Sequence, residues 1–160
     1  MHALPPPSGT EYPSFRPKMD TATSSRPGAK SLNIALVYEL RTTHLNLGYT
    51  PDECAELACE SCVQGISSAL ETLGHNVVHM PEGIKSLVQS LSKGQQKEWD
   101  LVFNYSEGIR GVAREARVPG LLEAYDIPFT FSGAATFALC LDKAKTNVGA
   151  PPLLHLDAAC

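Results

Sequence analysis

Leu32-Asn33-Ile34-Ala35-Leu36-Val37-Tyr38 decides the fold. The run is mostly apolar and lacks the alternation of a sheet that faces water on one side, so it reads as a short strand buried on both faces. Such a strand needs a covering layer above and below. The sequence supplies these layers by alternating strand-like and helix-like segments. Asn76 to Met80 reads as a strand, and Ile84, Leu87, Val88 and Leu91 mark a helix. Trp99 to Tyr105 reads as a third strand, followed by a helix around Pro119 to Tyr125. Asp126-Ile127-Pro128-Phe129-Thr130-Phe131 is a fourth short strand, placed at an edge by Pro128, and Ala134 to Ala144 is a last helix. This order implies an α/β fold: an open parallel sheet of about four strands, with helices on both faces and right-handed crossovers.

Between the first two strands, Glu39 to Tyr49 reads as a long polar loop. Thr50 is then placed to cap a helix, Pro51 to occupy its first position, and Glu53 to reach back and complete a capping box. Ala55, Ala58, Cys62, Ile66, Ala69, Leu70 and Leu73 recur at helical spacing as one apolar face, and Gly74 ends the helix.

Outside these segments the character changes. Residues 1 to 30 carry Pro5, Pro6, Pro7, Pro13, Pro17 and Pro27 among Ser, Thr and Gly, too little apolar surface to offset ordering entropy, and read as disordered. Glu11 and Asp20 argue against an organellar address. After Asn147, Val148-Gly149-Ala150-Pro151-Pro152 reads as turn or coil, with a tail to Cys160 too short for another strand–helix unit.

The 160 residues suffice for one domain with a core, and the net charge of −4 argues against a general nucleic-acid or acidic-lipid binder. No apolar run approaches the roughly 20 residues that span a bilayer. The five cysteines are odd in number and lack framework spacing, which points to free thiols in a reducing compartment, by default the cytoplasm.

Ligands of open parallel sheets bind beyond the carboxyl ends of the strands. Two polar loops stand there, Glu39 to Tyr49 and Ser106 to Glu115. In the second, Gly108 and Gly111 allow backbone to approach a ligand, and the mixed charges of Glu107, Arg110, Arg114 and Glu115 suit a zwitterion such as an amino acid. An ordinary solvated loop with turn glycines reads equally well. Glu107 and Glu115 have no partner nucleophile that would make them a catalytic pair. No Gly-x-Gly-x-x-Gly follows the first strand and no Walker loop is present.

Several stretches together carry a family resemblance: Trp99 to Asn104, Glu107-Gly108, Gly111, Arg114-Glu115-Ala116, Pro119 to Ala124, Ile127 to Ser132, and Ala138 to Lys143. With Tyr38-Glu39-Leu40-Arg41, Gly48-Tyr49, Ala69-Leu70 and Gly74-His75 upstream, residues 32 to 147 resemble the N-terminal, preATP-grasp domain of D-alanine–D-alanine ligases. The resemblance implies an ATP-grasp, Rossmann-like enzyme that uses ATP and Mg2+ to phosphorylate the carboxylate of one D-amino acid, whose acyl phosphate the amine of a second then attacks. It further implies a first-substrate site with Glu56, or neighbouring Glu53, holding the ammonium. Glu107, Gly108, Arg110, Gly111 and Glu115 would line that site, and Lys143 of the Asp142-Lys143 pair would point toward ATP phosphates. Where the family usually reads His-Gly and later Gly-Glu-Asp-Gly, this chain has Arg110-Gly111 and Arg114-Glu115-Ala116-Arg117, a departure that bears on strict D-alanine use. On this resemblance, residues 31 to 147 are the preATP-grasp domain and 148 to 160 a truncated tail without the ATP-grasp domain. The chain alone is then expected to be inactive and to hold neither ATP nor Mg2+. A non-catalytic binding or dimerisation module is the alternative, with a homodimer as its partner state.

Cys59-Glu60-Ser61-Cys62, with Cys54 nearby, invites a metal or redox reading. Structural zinc needs four ligands, and a redox Cys-x-x-Cys favours a helix N-terminus. A helix starting at Pro51 would carry these thiols about two turns inside it, so they are expected to be core or surface thiols. His44, His75 and His79 show no ligand spacing.

Overall fold

The computed structural model of the chain describes residues 30–143 and 146. The expected disordered segment, save Lys30, and the expected tail lie outside the described residues. Lys30 pairs with Asp100 at 3.3 Å.

Asn33–Tyr38 forms β1 at the centre of a three-stranded parallel sheet, flanked by β2 (Asn76–Met80) and β3 (Leu101–Tyr105) in the order β2-β1-β3. As its composition requires, β1 is buried on both sides, with Ala35, Leu36 and Val37 at 0% exposure. Ala35 and Val37 face a cluster with Met80, Leu87, Leu91, Val102, Val118, Leu122 and Ile127. Leu36 and Tyr38 face the other way, onto Ala58 and Val63, with Ile66, Val77 and Phe103 partly buried beside them. The first cluster is roofed by α3 (Ile84–Ser92) and α4 (Arg117–Ala124), and the second by α2 (Glu60–Thr72). The sheet therefore carries helices on both faces.

Three expectations are corrected. The fourth strand shrinks to a single bridge, Val102 to Phe129, in which Val102 N–H donates to Pro128 O at 2.8 Å and Thr130 N–H to Val102 O at 3.0 Å. Phe131 then turns to φ 72°, which ends extended pairing. The polar loop after β1 contains a short helix, α1 (Arg41–Asn46).

The third correction concerns α2. The capping box does form, with Thr50 N–H donating to Glu53 Oε2 at 2.9 Å and Glu53 N–H to Thr50 Oγ1 at 3.3 Å. It closes only a run of turns, because the chain must next return to the sheet. Ala58 N–H donates to Glu39 O and Arg41 N–H to Ala58 O, each at 3.0 Å. These bonds pin residue 58 in extended pairing, so the helix starts afresh with Cys59 as its cap. Its buried positions are Val63 and Ser67, whereas Leu73 is exposed. Gly74, at φ 90°, ends α2 as expected, with His75 N–H donating to Leu70 O and Gly74 N–H to Glu71 O.

The last helix, α5 (Ala134–Leu141), is almost wholly apolar yet buries no residue, and residue 144 of the expected helix lies outside the described residues. Among the described residues, no helix is long and apolar enough to cross a membrane.

Leu87 and Val88 are adjacent on α3, at 0% and 50% exposure. Leu87→Ala is expected to lower unfolding free energy by about 2–5 kcal/mol, and Val88→Ala to change it by no more than about 0.5. Urea unfolding of both variants checks this, and equal effects would refute the packing given for α3.

Candidate functional site

The strand order places the chain's change of direction between β1 and β3: α2 leads outward to β2 on one face, and α3 returns across β1 to β3 on the other. A crevice is expected beyond the carboxyl ends of the two strands at such a switch point. The segments after β1 and β3 meet there.

Glu39 makes the joint. It directly follows β1 and is 6% exposed. Its Oε1 accepts from the Ser106 hydroxyl at 2.8 Å, and its Oε2 accepts from the backbone N–H of Glu107 at 3.1 Å and of Gly108 at 3.4 Å. A buried carboxylate is tolerated where donors meet it in this way. Gly83, at φ 54°, leaves the room, since a Cβ there would collide with the Glu39 carboxylate.

Around the joint lies a cavity of about 360 Å³, lined by His44, Tyr49, Lys85, Gly108, Arg110, Arg114 and Arg117 together with Glu39 and Glu82. A second cavity, of about 410 Å³, shares Ser106 and is lined by Tyr105, Glu107, Glu115, Phe131 and Phe137. The first cavity thus carries Lys85 and three arginines beside Glu39 and Glu82, whereas the charged residues that line the second are Glu107 and Glu115.

The expected site residues divide accordingly. Gly108 and Arg110 line the first cavity, Glu107 and Glu115 the second. Glu56 is exposed and stands in the turns before α2, not inside a helix, where it pairs with Arg114. Arg114 also reaches Glu115 at 3.6 Å, so it links Glu56 to the loop after β3. Glu53 meets Arg110 at 3.5 Å, and the Arg110 guanidinium sits 5.2 Å from the Tyr49 ring centre. The Thr50 backbone N–H, then its hydroxyl, then Arg110 hold the Glu53 carboxyl below its ordinary value.

Gly108 (φ 67°) and Gly111 (φ 98°) have backbone that other residues rarely adopt. A Cβ on Gly108 would approach Arg114 O to 3.0 Å, and one on Gly111 would press on the Arg117 guanidinium. The two glycines therefore let the loop fold onto its own arginines. Lys143 is exposed just past α5 and lines neither cavity. Among the described residues, no three His, Cys, Asp or Glu side chains converge to hold a metal.

Sequence reasoning passed over Glu39, Gly83 and Arg117 as site residues. A glutamate ending a strand buried on both faces is the signal that could have found the first. Gly83 lies far from Glu39 in sequence and carries no local mark.

Fold and site together define a doubly wound α/β domain with a charged ligand crevice at its switch point. No family model and no solved structure matches the chain. Curated proteins do. A D-alanine–D-alanine ligase of Rickettsia rickettsii is 34% identical over 85 residues, covering 53% of this chain and 25% of that protein. The D-alanine–D-alanine ligase of Erythrobacter litoralis is 34% identical over 84 residues, 52% of this chain and 24% of the relative. That of Rickettsia felis is 38% identical over 80 residues, 50% and 23% respectively. The chain is thus similar to D-alanine–D-alanine ligases over about half its length, and spans about a quarter of the length of these relatives.

Two outcomes test the joint. Glu39→Ala strands the three donors it accepts from and is expected to lower stability by about 2–4 kcal/mol, with Glu39→Gln costing less; chemical unfolding measures both. Glu107 supplies the second test. Burial, then the carboxylates of Glu115 and Glu56, with Arg114 opposing and Glu39 adding, raise the Glu107 pKa above its ordinary value. The fold therefore favours protonated Glu107. That contribution is full below the ordinary carboxyl range and lost as pH rises through the folded value. Glu107→Gln, which imitates the protonated group, should raise the melting temperature at neutral pH and lose this advantage on acidification below about pH 4. An advantage independent of pH would contradict the electrostatic account.

Proposed function

We propose that this domain forms the first-substrate side of a D-amino-acid ligase site, and that the 160-residue chain does not complete the reaction alone. The observation that carries the reading is the crevice beyond β1 and β3, where Arg110, Arg114 and Arg117 line the first cavity and Glu107 and Glu115 the second, the two sharing Ser106, which Glu39 holds. An amino acid presents a carboxylate to such cations and an ammonium to such carboxylates, and cavities of this size suit a small molecule. Similarity to proteins that bear the name D-alanine–D-alanine ligase supports the chemistry.

In this reading Arg110 orients the substrate carboxylate from the loop after β3. Glu56, released from Arg114, or Glu107 and Glu115 together, take the ammonium. ATP and Mg2+ belong to the complete ligase reaction. Lys143 points toward the nucleotide there but does not hold it in this chain alone: millimolar affinity requires about −4 kcal/mol, and one exposed unit charge at about 4 Å supplies about 1 kcal/mol in water. The compartment is the cytoplasm.

A second reading, a non-catalytic module that dimerises, is favoured by one observation. The apolar helix α5 buries no residue: its own Leu139 is 45% exposed, and Phe131, just before it, is 67% exposed. Apolar area of this kind favours association. Sedimentation velocity separates the readings, since a monomer at high concentration counts against the dimer.

Calorimetry with D-alanine and other small D-amino acids tests the main reading. Binding weakened at least about tenfold by Arg110→Ala, a loss of about 1.4 kcal/mol, is the expected result. No heat with any of them would sink it. A coupled assay on the same chain with MgATP and D-amino acids should show no ADP release, and turnover would overturn the statement that the chain is inactive alone.

A further inference from the structure

The start of α2 brings together two thiols that the proposed site does not use. Cys59 caps this 13-residue helix: its Sγ accepts from the Cys62 backbone N–H at 3.3 Å and lies 3.1 Å from the Ser61 hydroxyl. The expectation that these thiols lie two turns inside a helix is therefore corrected. With the helix start reset to residue 60, the pair occupies the first turn, where unpaired N–H groups favour a thiolate. Both cysteines are unbridged; Cys62 is exposed and Cys59 half-buried, so a small reagent reaches them, whereas Cys54 is buried.

The surroundings make the two thiols unequal. Hydrogen bonds from the Cys62 side chain, the Ser61 hydroxyl and the Cys62 backbone N–H bring Cys59 down to about 7. The hydrogen bond to Cys59, burial and the Cys59 charge push Cys62 up. One thiol is ready to attack while its neighbour keeps its proton until a mixed disulfide forms. A structural zinc site would need two further ligands, and among the described residues no third His, Cys, Asp or Glu joins the pair.

We propose that Cys59 and Cys62 form a redox-active dithiol that exchanges with small-molecule disulfides of the glutathione class. The Cys59 thiolate attacks one sulfur of the disulfide R–S–S–R, forming Cys59–S–S–R and expelling RS−, which takes up a proton. Cys62 then loses its proton to solvent, and its thiolate attacks the Cys59 sulfur, forming the Cys59–Cys62 bond and expelling the second RS−. The two cysteines are oxidised by two electrons in total, and the disulfide is reduced to two RSH. The exchange runs backward in excess thiol. The pair also sits near the second cavity, since burial and then the charges of Cys62, Glu107 and Cys59 push up the hydroxyl of Tyr105, which lines that cavity.

The test equilibrates the reduced 160-residue chain in graded mixtures of reduced and oxidised glutathione at pH 7. Samples are quenched with acid, free thiols are alkylated, and mass spectrometry locates each bond. A Cys59–Cys62 disulfide that forms and reverses with the buffer ratio is the expected result. Cys62→Ser keeps a donor toward Cys59 and should hold one glutathione at Cys59. Cys59→Ser keeps an oxygen at the cap and should take up glutathione at Cys62 more slowly. At pH 7 a thiol of pKa near 7 is ionised about fifteenfold more than an ordinary one, and its weaker nucleophilicity trims the advantage to about three- to fivefold. That is the rate difference expected between the two variants. The proposal is overturned if both thiols stay reduced across the range, if each carries its own glutathione without closing, or if either bridges to Cys140 or to a second chain.

Discussion

One buried carboxylate sets the geometry of the crevice. Glu39 follows the central strand, and the donors it accepts from belong to the loop after β3. The relative placement of the two crevice loops is thus decided inside the protein rather than at its surface. The arrangement spans three elements, because Gly83, just before α3, must lack a side chain for the carboxylate to fit. It also continues the ladder: the Glu39 backbone bridges to Glu82, and its carbonyl accepts from Ala58. One residue thereby ties the end of β1, the start of α2, the start of α3 and the exit of β3.

Much of this was legible where burial alone sets the pattern. The run from Ile34 to Tyr38 shows a strand buried on both sides, Leu87 and Leu91 show the inner face of α3, and Gly74 shows the end of α2. The start of α2 was not legible, and the reason is physical. Thr50, Pro51 and Glu53 are a sound capping signal, and their hydrogen bonds form. A cap, however, states only that a turn is favourable, at about 1 kcal/mol. Whether a helix continues depends on where the chain must go next, and Ala58 is held to Leu40 in the sheet. The fourth strand failed for a related reason: Pro128 offers no N–H, and Phe131 departs from extended backbone three residues later.

For the crevice, the sequence displayed the loop charges but not their pairing. Glu107, Arg110 and Glu115 stand close together in the chain, yet their effect depends on Glu53, Glu56 and Tyr49 from the loop after β1. The glycines of 108 and 111 read as openings for a ligand, whereas the structure uses them to let backbone pass Arg114 and Arg117. The misreading of the helix start carried over to the cysteines: moving the first turn from Pro51 to Glu60 changes Cys59 from an interior thiol into a capping group.

The contrast between the two kinds of tie in the crevice bears on how it can act. Glu39 is buried, so its hydrogen bonds are sheltered from water and hold the loop base firmly. The outer ties are exposed: Arg110 to Glu53 at 73% and 40% exposure, Arg114 to Glu56 at 25% and 65%. Pairs of that kind contribute little to stability and weaken with salt. A ligand carboxylate can therefore displace Glu53 or Glu56 from its arginine, or a ligand ammonium the arginine from its glutamate, while the backbone of residues 106–108 stays in place. Such a division, with a rigid base and exchangeable charged partners above it, suits a site whose ligand must enter, be oriented and leave.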